Sequence, residues 1–256
     1  RKTTMAYYNC LLIDADGTLL DFEASQRKAL TIALGRFGIP AEEAVLALYA
    51  RINGELWQAL ERGEIRREKL FRERFSHLLR QLALTGDPEA LSRAYEQALA
   101  GQADLMPGAL EAVRELSEVA TLAVVTNGFE KVQRSRLALS GLDKYMDGIY
   151  ISEKMGANKP ARRFFEGVLK GLGIEHREKV LVIGDSLKAD VEGAKNAGLA
   201  ACWFCPGGFE KAPRPAPDHM VGDLRELYPI VMEEDELANV GSEHRKHQDL
   251  VGLPRP

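Results

Sequence analysis

The sequence predicts an α/β protein, a Rossmann-like doubly wound parallel sheet core with an inserted all-helical cap domain. Three observations lead there. Short apolar runs that read as buried strands alternate with helical stretches from about residue 105 onward, one more strand-like run stands near the start, and residues between them show helical periodicity only. Strand and helix in turn build a parallel sheet covered by helices on both faces, with right-handed crossovers.

The first strand runs from Leu11 to Asp14 and belongs to the sheet although the helical insertion separates it from the rest. Within the insertion, Ala29, Ile32, Ala33 and Phe37 form one apolar stripe, and Ala44, Val45, Leu48 and Ile52 form a second, with Pro40 as a first-turn proline. Leu70, Phe71, Phe75, Leu78, Leu79 and Leu82 make a third stripe, and Leu91, Ala94, Tyr95 and Ala98 a fourth. After Met106-Pro107-Gly108 the texture changes. A helix from Ala109 to Ser117 leads to the strand "TLAVVTNG", a helix to about Leu139 and the short strand "GIYIS". A helix started by Pro160, the strand "KVLVIGD", a helix from Ala189 to Asn196 and the strand "LAACWF" complete the core. The core is expected over 5–21 and 105–232, the cap over 22–104, and a polar, mobile tail over 233–256. Met5 reads as the native start, with Arg1 to Thr4 added ahead of it.

Composition excludes several classes. The 256 residues carry a formal charge of -4 with acids and bases interspersed, so no broad basic face offers itself to a nucleic acid polymer. No apolar run reaches the roughly 20 residues that cross a bilayer, and no secretory signal is present. A cytoplasmic enzyme, monomer or homodimer, is expected. Three cysteines build no disulfide framework. Cys202 and Cys205 have redox or zinc spacing, but no further Cys or His cluster would complete a zinc site, and they read as small residues in and just after a buried strand.

The chemistry gathers at the strand ends, where ligands of open parallel sheets bind. Asp14 and Asp16 end the first strand, Thr126-Asn127 ends the second, Lys159 precedes a helix, and Gly184-Asp185 ends the strand from Lys179. Carboxylates close together near a core repel each other and resist burial, so something cationic belongs between them. Magnesium fits, because it prefers oxygen ligands and keeps room for substrate phosphate. With the ion bound, Asp14 can remain ionised and attack phosphorus, giving an aspartyl-phosphate intermediate. Asp16 would protonate the leaving oxygen and later draw a proton from water. Thr126 and the backbone beside Asn127 offer donors to phosphate oxygens, and Lys159 adds a compact positive charge. Asp190 reads either as a solvent-facing helix residue or as part of the site.

The motifs "DADGTLLD", "VVTNG", Lys159 in "ANKP" and "GDSLKAD" stand in an order that resembles the haloacid dehalogenase superfamily of hydrolases with a helical cap, over about Tyr8 to Tyr228. The resemblance implies Asp14 as nucleophile, Asp16 as acid/base with its backbone carbonyl on the metal, and Thr126 and Lys159 as phosphate holders. It also implies Asp185 as a magnesium ligand and Asp190 as support for the ion. "LLIDADGTLLDF", "VVTNGF" and "LAACWF" are similar to the branch of pyrimidine nucleoside 5′-monophosphate phosphatases, which implies a small phosphorylated metabolite as substrate. Phe22, Asn53, Trp57, Glu64 and Phe129 either frame a base or sugar or serve as packing and solvent-facing residues. Phosphoglycolate and sugar phosphates are alternative substrates. A phosphomutase would keep the same motifs, whereas a 2-haloacid dehalogenase is disfavoured by the acid at Asp16. A phosphoacceptor regulatory module is disfavoured by the cap and by a nucleophile on the first strand.

Overall fold

The computed structural model describes residues 6–232. In chain order β1 (Cys10–Ile13) is followed by four helices, α1 (Phe22–Arg36), α2 (Glu43–Glu61), α3 (Arg67–Gln81) and α4 (Pro88–Ala100). Then come α5 (Ala109–Ser117), β2 (Thr121–Thr126), α6 (Glu130–Ser140), β3 (Gly148–Ile151), α7 (Ser152–Met155) and α8 (Arg162–Leu172). The chain continues with β4 (Val180–Gly184), α9 (Gly193–Ala197), β5 (Ala200–Phe204), β6 (His219–Val221) and α10 (Leu227–Met232).

The six strands form one parallel sheet in the order β3-β2-β1-β4-β5-β6. β1 lies inside it, with Leu12 opposite both Ala123 of β2 and Val182 of β4. All four residues of β1 are buried because helices cover both faces of the sheet. Strand side chains alternate in direction, so Leu11 and Ile13 pack with α5 and α10 while Cys10 and Leu12 pack with α8 and α9. Strand order reverses between β1 and β4, which puts a crevice outside their carboxyl ends.

α1 to α4 share a separate apolar cluster. Asp21 caps α1 by accepting from the Ala24 N–H at 2.9 Å, and Asp87 caps α4 at the Glu89 and Ala90 N–H groups, with Pro88 in the first turn. The third and fourth stripes face this cluster as expected except for Phe71, which is half-buried outside it, 6.4 Å from Phe129 between ring centroids. The first differs: Ala29 and Ala33 are buried beside Leu30 and Leu34, whereas Ile32 and Phe37 are each 42% exposed. The reason is that α1 turns its Leu30 and Leu34 edge inward, with Ser25 and Gln26 also buried on it. On α2, Ala44 is exposed and Leu46, Tyr49 and Ile52 carry the buried face.

Three further expectations are corrected. Pro40 and Pro160 precede their helices instead of opening them, since α2 begins at Glu43 and α8 at Arg162. The helix expected from Ala189 is a π-helical turn, Leu187–Glu192, running into α9. β6 is an extra strand of three residues, too short for a period and preceded by the proline-rich 212–217 segment. Cys202 is a buried β5 residue whose thiol burial pushes up to about 12, which suits packing and not redox chemistry. The tail expected over 233–256 lies outside the described residues.

Candidate active site

The crevice between β1 and β4 is where the predicted polar groups meet. Asp14 follows β1 directly and stays in the sheet, its N–H donating to the Ile183 carbonyl at 2.9 Å. Gly17 turns the chain with φ +85, and a Cβ there would stand 2.4 Å from Asp185 Oδ2, so only glycine lets this loop approach Asp185 so closely. Thr18 closes the contact: its hydroxyl accepts from the Asp185 N–H at 3.1 Å and donates to Asp185 Oδ1 at 3.3 Å.

Lys159 reaches the same place from the segment between α7 and α8. It is 1% exposed, and its Nζ donates to Asp14 Oδ1 and to Asp190 Oδ1, both at 2.6 Å. Asn127, after β2, holds the lysine backbone from both sides, accepting from the Lys159 N–H at 2.9 Å and donating to its carbonyl at 3.0 Å. The Asn127 side chain is therefore engaged in fixing Lys159. Asp190 belongs to the π-helical turn, is 1% exposed, and accepts from the Ser186 N–H at 3.1 Å. Its solvent-facing alternative is ruled out by that burial.

Asp14, Asp185 and Asp190 each bring an oxygen within 4.8 Å of the others. Burial pushes the Asp14 carboxyl well above its ordinary range, only partly offset by Lys159 and reinforced by Asp190 and Asp185. Asp185, the exposed member of the three, is pushed up to about 7, first by desolvation and then by Asp190. Burial alone would lower the Lys159 ammonium, but Asp14 and Asp190 outweigh it and hold it up. One ammonium thus faces three carboxylates that resist ionising together. A hard divalent cation with oxygen ligands fits this donor set, since its charge removes the surplus.

Asp16 stands apart from that trio. Its carboxylate pairs with the Arg136 guanidinium and accepts from Gln133 Nε2 at 2.8 Å. The same Gln133 amide donates to the Thr126 hydroxyl at 2.9 Å.

A cavity of about 350 Å³ opens above these groups, inside the roughly 300–1,000 Å³ usual for small-molecule sites. Its floor holds Asp14, Asp16, Thr126, Lys159, Asp185 and Asp190. The roof comes from α1 and α2, with Phe22, Gln26, Asn53, Trp57 and Glu61. Glu64 lies outside: it is exposed and paired with Arg62 at 2.6 Å. Glu61, one turn earlier, is the acid that faces in, its carboxyl held up by burial first and Asp190 second. Phe129 also stands behind the cavity wall, edge-on to Trp57 at 6.3 Å between ring centroids.

Gln26, Glu61, Arg67, Gln133 and Arg136 escape sequence reasoning. Arg67 reaches from α3 to the loop after β2, donating to the Asn127 and Gly128 carbonyls at 2.9 and 3.0 Å and to Asn158 Oδ1 at 2.9 Å. The available signal lay on α6, where Gln133 and Arg136 share one helix face with apolar Val132 and Leu137.

The chain resembles known proteins in sequence and in fold. The family model for haloacid dehalogenase-like hydrolases matches residues 8–198. The HAD-hydrolase YfnB of Bacillus subtilis is 35% identical over 227 residues, 89% of this chain and 97% of that protein. The pyrimidine 5′-nucleotidase PynA of Streptococcus pneumoniae is 35% identical over 222 residues, 86% of this chain and 94% of its own length. A crystal structure of YfnB bound to magnesium superposes with a TM-score of 0.83, covering 88% of this chain and 98% of the other.

Proposed function

Since the chain belongs to the haloacid dehalogenase-like hydrolases, we propose that it is a magnesium-dependent phosphomonoesterase working through an aspartyl phosphate, with nucleoside 5′-monophosphates as preferred substrates. The observation that carries this is the Lys159 bridge between Asp14 and Asp190, with Asp185 close by, at the carboxyl ends of β1 and β4.

Asp14 attacks the phosphorus of a bound ester, forming a carboxyl–phosphorus bond as the bond to the ester oxygen breaks. Asp16 gives its proton to the departing oxygen, which leaves as an alcohol. In the second half Asp16 takes a proton from a water molecule that attacks the phosphorus of the aspartyl phosphate, freeing inorganic phosphate and restoring Asp14. Lys159, the Thr126 hydroxyl and the backbone N–H groups after β2 hold the non-bridging oxygens throughout. Asp14, Asp185 and the Asp16 backbone carbonyl would hold magnesium, while Asp190 supports them through Lys159 and the Ser186 N–H. When bound, the ion supplies the positive charge that lets a phosphate dianion approach an ionised carboxylate.

The cap sets the substrate. Trp57 and Phe22 give flat apolar surface for a base, and Asn53 adds an amide whose Nδ2 donates to Gln26 Oε1 at 2.9 Å while its Oδ1 has no protein partner. An unpaired carbonyl acceptor suits a ring N–H of a nucleobase. PynA, the relative named as a pyrimidine 5′-nucleotidase, supports the same substrate class.

The test is phosphate release from a panel of nucleotides, sugar phosphates and phosphoglycolate, with and without magnesium, and with Asp14→Asn as control. Nucleotide hydrolysis that requires the metal and vanishes in Asp14→Asn is expected. Equal turnover without a divalent ion removes the mechanism, and preference for sugar phosphates removes the substrate assignment alone.

A further inference from the structure

Arg136 heads the large side chains that are fully buried among the described residues, and no step above uses it. A buried guanidinium costs several kcal/mol unless its charge and its donors are matched; here Nε and Nη1 are engaged, and Nη2 has no hydrogen-bond partner among the described residues. Its contacts are specific. Nη1 pairs with the Asp16 carboxylate and donates to Gln133 Oε1 at 3.1 Å, while Nε donates to the Gln102 carbonyl at 3.1 Å. The guanidinium carbon lies 6.0 Å from the centre of the Phe22 ring.

Two of those partners mark the places where the chain passes between sheet and cap. Phe22 is the first residue of α1, and Gln102 lies in the segment returning from α4. The two crossings are tied to each other: the Asp21 N–H donates to the Asp104 carbonyl at 2.9 Å, and the Met106 N–H to the Leu19 carbonyl at 3.0 Å. Arg136 therefore joins the paired crossings to Asp16 through one rigid, planar fork. Gln133, on the same face of α6, extends the link to Thr126.

We infer that Arg136 and Gln133 are positioning residues that hold the Asp16 carboxylate, and with it the Thr126 hydroxyl, in register with the two cap crossings. The inference rests on the reading of Asp16 as the acid/base group. Acid–base geometry and cap position are then set together, and a shift of the cap relative to the sheet moves the group that serves the leaving oxygen. A counter-ion for Arg136 alone would not need Gln133, whose amide donates to both the Asp16 carboxylate and the Thr126 hydroxyl.

The experiment compares leaving groups. p-Nitrophenol departs without a proton, whereas the alcohol of uridine 5′-monophosphate needs one, and kcat/KM reports the step in which either leaves. For Arg136→Met, kcat/KM on the nucleotide is expected to fall by about 10²-fold, the lower end of what a positioned acid contributes, and on p-nitrophenyl phosphate by less than about 10-fold. Equal losses on both esters, or no loss on either, overturn the inference. If Arg136→Met does not fold by circular dichroism, Gln133→Leu carries the same comparison with a smaller split, expected at about 10-fold. An unmodified protein that hydrolyses neither ester would overturn the functional reading beneath; activity in the unmodified protein with equal losses in the variants overturns the inference alone.

Discussion

Arg74 in the cap and Lys159 at the strand ends are both buried beside carboxylate, and their charges are balanced differently. In the cap, Arg74 is 2% exposed and meets a single carboxylate, Glu96, at 2.9 Å, with the Ser92 hydroxyl at 2.9 Å and the Tyr95 ring centre 5.0 Å away. At the strand ends Lys159 meets Asp14 and Asp190 directly, with Asp185 within the same cluster. The cap pair closes on itself and joins α3 to α4. The strand-end cluster carries a negative surplus that a retained proton or an outside cation must remove. Of these two clusters, the balanced one joins two helices and the unbalanced one lines the cavity.

The sharpest way to break that contrast is to remove each cation in turn. Lys159→Met should abolish phosphate release and cost about 3 kcal/mol of metal-free stability in urea unfolding, since two buried carboxylates lose their partner. Retained activity in that variant would mean the cluster is structural. Arg74→Met should cost about 2 kcal/mol, less because Glu96 keeps some solvent contact, yet leave turnover per folded molecule within about twofold. A large loss of kcat there would erase the distinction between the two regions.

Smaller changes sharpen it. Asn53→Leu should lower kcat/KM for nucleotides by about 10-fold relative to p-nitrophenyl phosphate, the scale of one lost polar contact. An unchanged ratio would take Asn53 out of substrate selection. The smallest effect is a dependence on pH. Asp185 is held up at about 7, so between its ordinary value and about 7 the folded protein keeps a proton that the unfolded chain has released. Metal-free stability from this group therefore falls as pH rises through that window. Magnesium binds the ionised form, so its stabilising effect should be larger by about 3 °C in Tm near about pH 8 than near about pH 5.5. A magnesium effect that is the same at both would argue against Asp185 as a ligand.

Much of the sheet and of the polar cluster at its edge was legible in sequence because strand ends are local. Asp14, Thr126 and Asp185 each stand within one residue of the end of an apolar strand, and parallel pairing then brings them together. The cap was legible as four helices, but its inward face was not. Glu64 and Glu61 look equivalent until the end of α2 at Glu61 decides which one faces the cavity. Ile32 and Leu30 are separable only by how α1 is turned towards its neighbours. Arg136 and Gln133 were hidden for another reason. Their partners lie 120 and 117 residues away at Asp16, and no spacing rule links them. Arg67 likewise meets Asn127 and Asn158 only through the fold.

The most direct measurement is chemical trapping of the covalent intermediate. The protein is quenched in acid during steady hydrolysis of its best substrate, reduced with borohydride, and its peptides are sequenced by mass spectrometry. Borohydride converts an aspartyl phosphate to homoserine, so homoserine in place of Asp14, and at no other acid, is the expected result. Homoserine at a different position, or at none while phosphate is being released, would contradict attack by Asp14.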